Sequence, residues 1–252
     1  MEKIFKIHED NNKKKVVFLH GFNSNGNFIS PLLKLERNYD ILSFDFPGCG
    51  SEPAGEEPIT IESYSKFAIN KINSLTEPFI LVGHSLGGAV AMNIANHPLV
   101  SKVVLLAPLN PFAYKEGIES WLLPRNTQDA LNSMESLVGN DQKDLYFQNI
   151  INTAGTFFKN TLPKMDIFQK VVFEQITNEK YLKETLMEKY LSNQKETLLI
   201  QGDIDKFVIK ESSDQTCKTF KFRKIILKNT GHSIVYEREN EINTILNSIN
   251  ID

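Results

Sequence analysis

The chain has 252 residues, enough to bury one sizeable hydrophobic core, and α/β domains of this length are usually a single unit that can hold an insertion. A net charge of -3 and an isoelectric point near 6.0 provide no basic surface for nucleic acid or anionic lipid. The two cysteines, Cys49 and Cys217, form neither a disulfide framework nor a metal-binding spacing.

The N-terminal residues and the apolar runs bear on localisation. Residues Met1 to His8 alternate in polarity like a strand and lack the long apolar stretch of a signal peptide. No later run approaches the roughly 18 apolar residues of a membrane span. We therefore expect a cytoplasmic protein with no integral membrane segment.

Short apolar runs alternate with helical patterns in the first part of the chain. Residues 61–75 carry apolar side chains at helical spacing, and the hydroxyls of Thr60 and Ser63 are suited to cap the start of that helix. The alternation predicts a mostly parallel sheet with helices on both faces. Its strands are predicted at Val16–Leu19, Ile41–Phe44, Phe79–Val82 and Val103–Leu106.

The pattern changes between about residues 108 and 194, where helical segments replace strands. We expect these segments to break at Pro124, Gly139, Gly155 and Pro163. The interpretation is one domain over residues 1–252 that contains a helical cap at residues 109–195. Aromatic side chains of the cap either line an apolar pocket or pack the cap's own core; they include Trp121, Tyr146, Phe147, Phe157, Phe158, Phe168, Phe173 and Tyr181.

Strand patterns return at Thr197–Ile200 and Lys224–Leu227, and a closing helix is predicted from about Ile234 to Ile249. In parallel α/β sheets the working residues cluster in loops at the carboxyl ends of strands. Polar residues that directly follow the predicted strands are therefore the candidates for chemistry.

Ser85 lies in such a loop, within Gly83-His84-Ser85-Leu86-Gly87. A predicted strand precedes this segment and a predicted helix follows it, which is the setting of a nucleophile held at a sharp turn. The backbone N–H of Leu86 starts the helix and is free to face a developing oxyanion. Ser85 is the candidate nucleophile.

A serine nucleophile needs a base and an acid that orients the base. His232 lies on a loop after a predicted strand and is the candidate base. Asp203 and Asp205 both follow the strand that ends near Ile200, and spacing alone does not choose between them. The order serine, aspartate, histidine fits one triad arrangement and differs from the chymotrypsin and subtilisin orders.

With these motifs the whole chain resembles the α/β-hydrolase superfamily, in particular its serine esterases and lipases. The other matching segments are His20-Gly21-Phe22, Asp45 to Ser51, Gly202-Asp203-Ile204-Asp205 and Gly231-His232. The resemblance implies the α/β-hydrolase fold, Asp205 as the acid, and the backbone N–H of Phe22 as a second oxyanion donor beside Leu86. It also implies structural roles for His20 and for the turn that contains Cys49.

The first functional hypothesis is hydrolysis of small carboxylic esters, with short to medium apolar acyl groups, through an acyl-enzyme and without metal or organic cofactor. The second keeps the triad but changes the bond to a thioester, an amide or a carbon-carbon bond. Aminopeptidase-like action would need acidic cap residues such as Glu116, Glu119, Asp129, Glu135 and Glu174. The third is a catalytically silent protein that binds a small ligand.

Overall fold

The computed structural model of the protein describes residues 5–139 and 150–251. Its strands are β1 (Ile7–His8), β2 (Lys14–Leu19), β3 (Tyr39–Ser43), β4 (Phe79–His84), β5 (Val100–Leu106), β6 (Thr197–Gly202) and β7 (Arg223–Leu227). In the described residues they form one sheet with the order β1-β3-β2-β4-β5-β6-β7. Only the β1–β3 pair in this sheet is antiparallel.

Helices connect the strands and cover the sheet. The α-helices are α1 (Ile61–Ile72), α2 (Leu86–Ile94), α3 (Glu119–Leu122), α4 (Thr127–Leu137), α5 (Ile150–Thr161), α6 (Met165–Val171), α7 (Glu179–Tyr181), α8 (Met187–Ser192), α9 (Lys210–Phe220), α10 (Ile234–Glu237) and α11 (Glu239–Ser248). Stretches of 3₁₀ helix span Gly26–Lys34 and Leu162–Lys164, and π-helical turns span Val172–Ile176 and Leu182–Leu186.

The core has two layers because both faces of the sheet are buried. Successive side chains of a strand point to opposite faces. In β2, Val17 and Leu19 join the cluster on one face, while Val16 and Phe18 join the cluster on the other. This explains why the central strands are apolar runs without polar alternation.

The structure confirms the mostly parallel α/β sheet that the sequence predicts, and each predicted apolar run overlaps a strand, although β3 ends at Ser43, one residue before the predicted end at Phe44. Helix α1 starts as expected, since the Thr60 hydroxyl accepts the Ser63 N–H in a capping box. Between β5 and β6 the described elements are all helical. The cap boundaries at residues 109–195 stay a prediction, and Tyr146 and Phe147 lie outside the described residues.

Two predicted boundaries are wrong. Gly155 does not break a helix but lies inside α5. A β-carbon at this position would meet no atom within 4 Å, so close packing does not require the glycine and the helix continues through it. The closing helix is divided at Arg238, which has a φ of -143° and ends α10 before α11 begins. In the described parts of the chain, the structure contains no helix long and apolar enough to cross a lipid bilayer.

Candidate active site

Ser85 lies on a sharp turn between β4 and α2. Its φ of 53° and ψ of -121° belong to a backbone region that residues other than glycine rarely adopt. The turn is possible because the neighbouring positions are glycines: a β-carbon on Gly83 would lie 2.4 Å from the Gly87 carbonyl oxygen, and one on Gly87 would lie 2.2 Å from the Leu19 carbonyl oxygen. The Ser85 N–H donates to the Leu106 carbonyl at 3.0 Å, which fixes the turn to β5.

Ser85, His232 and Asp205 form one hydrogen-bonded chain. His232 Nε2 lies 2.9 Å from Ser85 Oγ, and His232 Nδ1 lies 2.8 Å from Asp205 Oδ2. Because a carboxylate accepts, Nδ1 carries the proton of the neutral ring and Nε2 is left to accept from the serine hydroxyl. The histidine and the aspartate are both buried, so their interaction is shielded from water.

The structure also separates the two aspartates that the sequence leaves open. Asp205 contacts the histidine, whereas Asp203 accepts the Thr230 N–H at 3.3 Å and lies 3.7 Å from the Lys228 ammonium. Asp203 therefore holds the loop that leads to His232 and does not touch the ring.

All four acceptor positions of Asp205 are used. Its Oδ1 accepts the backbone N–H groups of Phe207 and Val208 at 2.8 and 3.0 Å. Its Oδ2 accepts from His232 and, at 3.0 Å, from Gln201 Nε2. Gln201 is fully buried at the end of β6, and its Oε1 accepts the Ser213 hydroxyl of α9 at 2.8 Å. The carboxylate is thus held in one orientation from two directions.

The His232 loop is fastened to the end of α4. The Ser233 N–H donates to the Leu137 carbonyl at 2.8 Å. The buried Glu237 carboxylate accepts the Gly231 N–H at 3.0 Å and the Gly139 N–H at 2.7 Å. Burial raises the pKa of Glu237 above its ordinary value, although these two N–H groups oppose the shift. The end of α4 and the residues that follow it, Leu137 to Gly139, therefore help to define the position of His232.

Two further histidines, His20 and His84, lie beside the site with buried, neutral rings. His20 Nε2 accepts the Phe46 N–H at 2.9 Å, and burial lowers the pKa of His20 to about 4. His84 Nε2 donates to the His232 carbonyl at 2.9 Å, and burial lowers the pKa of His84 to about 3. Both rings support loops and neither contacts the Ser85 hydroxyl.

Cys49 is a buried thiol that lies in a structural turn. Burial raises its pKa to about 11, so it is not a nucleophile at neutral pH. Asp45 fastens the same turn by accepting the Ser51 N–H at 2.8 Å, the Gly26 N–H at 2.7 Å and the Lys6 ammonium at 2.6 Å. This geometry accounts for the turn without any chemical role.

Two cavities meet at Ser85. The smaller, of about 30 Å³, is lined by Phe22, Leu86 and apolar side chains of the segment between β5 and β6. The larger, of about 290 Å³, is lined by His232 and includes Trp121 and Phe157. Both predicted oxyanion donors, Phe22 and Leu86, therefore lie next to the serine, and two of the predicted cap aromatics line a pocket.

The sequence interpretation missed three residues that hold the candidate triad: Gln201, Ser213 and Glu237. Gln201 has a visible signal, because it is the one amide at the end of an otherwise apolar strand segment, Leu198–Ile200. Ser213 and Glu237 have no such signal, since both lie on helices where serine and glutamate usually face solvent. Their role depends on tertiary contacts alone.

Comparisons with known proteins agree with this architecture. A model of the alpha/beta hydrolase family matches residues 16–243. The chain therefore belongs to the alpha/beta hydrolase family, and the family and its relatives support a hydrolase enzyme. Putative esterase/lipase 2 of Mycoplasma pneumoniae is 26% identical over 211 residues, which are 81% of this chain and 76% of that protein. Putative esterase/lipase 2 of Mycoplasma genitalium is 27% identical over 248 residues, which are 91% and 86%.

Solved structures share the fold at lower identity. Est816, an N-acyl homoserine lactone degrading enzyme, has a TM-score of 0.75 and 18% identity, with 95% of this chain and 98% of that chain covered. A serine hydrolase from the polyaromatic-hydrocarbon-degrading bacterium Cycloclasticus zankles has a TM-score of 0.77 and 18% identity, with 93% and 88% covered. At these identities the likeness concerns the fold.

Proposed function

We propose that the protein hydrolyses small carboxylic esters, with short to medium apolar acyl groups, through an acyl-enzyme on Ser85. The observation that carries the proposal is the hydrogen-bonded chain Ser85–His232–Asp205 beside an apolar cavity. Two related proteins that bear the name esterase/lipase also support it.

The reaction takes two steps. His232 Nε2 takes the Ser85 proton as Oγ attacks the ester carbonyl, and it then gives that proton to the departing alcohol. Asp205 stabilises the imidazolium that forms between these transfers. The backbone N–H groups of Phe22 and Leu86 donate to the oxyanion; one such donor contributes about 100- to 1000-fold in rate. Water then repeats the sequence on the acyl-enzyme and releases the acid.

The cavity lining counts against one of the alternatives, an aminopeptidase-like activity. Among the described residues that line the two cavities there is no aspartate or glutamate. An aminopeptidase would need such a group to hold a free amine, so the acidic residues of the predicted cap give that alternative no support. The substrate that fits is neutral where it contacts these walls.

The experiment is hydrolysis of p-nitrophenyl esters from acetate to palmitate, with Ser85→Ala as the background. We expect activity that peaks at short or medium chains and disappears in the variant. Asp205→Asn should lower kcat by on the order of 10³- to 10⁴-fold, because the amide favours the wrong histidine tautomer. The matched variant Asp203→Asn should retain kcat within about threefold, since Asp203 does not contact the ring.

Two results would count against this proposal. Equal hydrolysis by the wild type and Ser85→Ala at every chain length would remove the serine from the mechanism. A larger loss in Asp203→Asn than in Asp205→Asn would move the acid to the other carboxylate.

A further inference from the structure

The two cavities at Ser85 differ in size and in which catalytic group they contact. Phe22, Leu122, Phe207 and Ser85 line both cavities and form the wall between them. The smaller cavity, of about 30 Å³, continues to Ile118 and Ile176. The larger, of about 290 Å³, continues to Met134 and Phe157. A bound ester would place one of its two arms in each cavity.

His232 decides which arm lies where. Its ring lines only the larger cavity. The base that takes the Ser85 proton must return that proton to the oxygen of the leaving alcohol, so the alcohol has to depart on the histidine side. The acyl arm is then left on the opposite side, in the smaller cavity. The water that later hydrolyses the acyl-enzyme enters the larger cavity after the alcohol has left it and gives its proton to the same Nε2.

Size then sets the substrate class. A cavity of about 30 Å³ holds about two waters, which is room for about two carbons beyond the carbonyl. The larger cavity, of about 290 Å³, leaves room for a longer arm. We propose that the protein is selective for esters in which a short acyl group, acetyl or propionyl, is joined to a larger alcohol. This inference rests on the proposed esterase function and adds the direction in which the ester binds.

The test compares two isomers of the same formula, hexyl acetate and ethyl hexanoate, by the rate of acid release at constant pH. Their composition is identical and their apolar area is nearly equal, so a difference in kcat/KM reports the direction of binding. We expect hexyl acetate to be preferred by at least about tenfold, the effect of an overfilled apolar pocket on discrimination. Ser85→Ala supplies the background, and p-nitrophenyl acetate is measured in parallel.

The outcomes separate the two proposals. Equal rates, or a preference for ethyl hexanoate, overturn the assignment of the cavities while the esterase function stands. Hydrolysis of p-nitrophenyl acetate without hydrolysis of hexyl acetate does the same, because a hexyl arm is expected to fit. Absence of Ser85-dependent hydrolysis of all three esters is a failure of the proposed function itself, and the inference falls with it.

A pair of variants tests each wall separately. Ile118→Ala enlarges the small cavity and should raise the relative kcat/KM for ethyl hexanoate at least about fivefold. Met134→Ala changes only the larger cavity and should alter the preference among ethyl, hexyl and decyl acetates without altering acyl preference. Ile176→Ala serves the same purpose as Ile118→Ala should that variant not fold. If the Ile118 or Ile176 variant changes the preference among ethyl, hexyl and decyl acetates, the smaller cavity does not hold the acyl group and the proposal is overturned.

Discussion

Gln201 shows how one buried side chain fixes the geometry of another. Its amide donates to the Asp205 oxygen that also accepts from His232, and the Ser213 hydroxyl holds the amide in turn. A hydrogen bond to a charged group contributes about 1.5–3 kcal/mol. We predict that Gln201→Leu lowers kcat about 10- to 100-fold with KM unchanged, because it affects orientation of the triad and not the substrate cavities. Steady-state kinetics with p-nitrophenyl acetate measures both constants.

Ser213→Ala tests whether Ser213 acts on the triad through Gln201. Since it removes only the group that holds Gln201, its effect should be smaller, and the double variant should be no slower than Gln201→Leu alone. A rise in KM at constant kcat would show that Gln201 acts on substrate binding. Fully additive effects would show that the two residues do not act through each other.

Helix α10 and the end of α4 hold the His232 loop between them, through Glu237 at the end of α10. Glu237 accepts two buried N–H groups, those of Gly139 and Gly231. Removal of the carboxylate leaves both without this partner, at a cost of about 1–3 kcal/mol each. We predict that Glu237→Ala lowers the midpoint of thermal unfolding by several degrees and lowers kcat about tenfold or more. Calorimetry and ester hydrolysis measure the two effects.

Two variants make this prediction specific. Glu237→Gln keeps one carbonyl oxygen that can accept both N–H groups, so it should recover most of the stability and activity. Glu241→Ala removes an exposed carboxylate of the neighbouring helix α11 and should change neither. If Glu237→Ala has the same thermal midpoint and kcat as Glu241→Ala, the hydrogen bonds between Glu237 and the Gly139 and Gly231 N–H groups contribute neither to stability nor to activity.

The same elements show what a sequence can predict. The strands follow from apolar runs, and the Ser85 turn follows from glycines whose β-carbons would clash with the neighbouring backbone. By contrast, the break at Arg238 and the continuous helix through Gly155 do not follow from the local sequence pattern. The choice between Asp203 and Asp205 is of the same kind, because it requires the position of a loop 27 residues further along the chain.

In the molecule as a whole, the loops after β2, β4, β6 and β7 converge at one edge of the sheet. Two buried neutral histidines brace this edge: His20 accepts the Phe46 N–H, and His84 donates to the His232 carbonyl. His20 has a pKa of about 4 when folded and 6.5 as an ordinary histidine, because burial disfavours its charged form. The unfolded chain therefore binds more protons between these pH values. Its contribution to stability is complete above pH 6.5 and is lost as the pH falls towards 4.

The gap between 6.5 and about 4 corresponds to about 3 kcal/mol for this fully buried ring. We predict that the free energy of unfolding of wild type falls between pH 6.5 and 4, and that His20→Gln shows a shallower fall and a lower value at pH 7. Urea denaturation across this range measures the slope. His8→Gln, at an exposed histidine, is the control. Equal slopes in His20→Gln and wild type would contradict the buried-neutral assignment.

Covalent labelling of the intact protein with an alkyl p-nitrophenyl phosphonate, followed by mass spectrometry, tests directly whether Ser85 is an activated nucleophile. A serine activated by His232 displaces p-nitrophenolate and stays phosphonylated, because the adduct resembles the tetrahedral intermediate. We predict one adduct per chain, located on the peptide with Ser85, absent in Ser85→Ala and formed much more slowly in His232→Ala. No adduct, or an adduct on a different residue, would show that Ser85 is not the nucleophile.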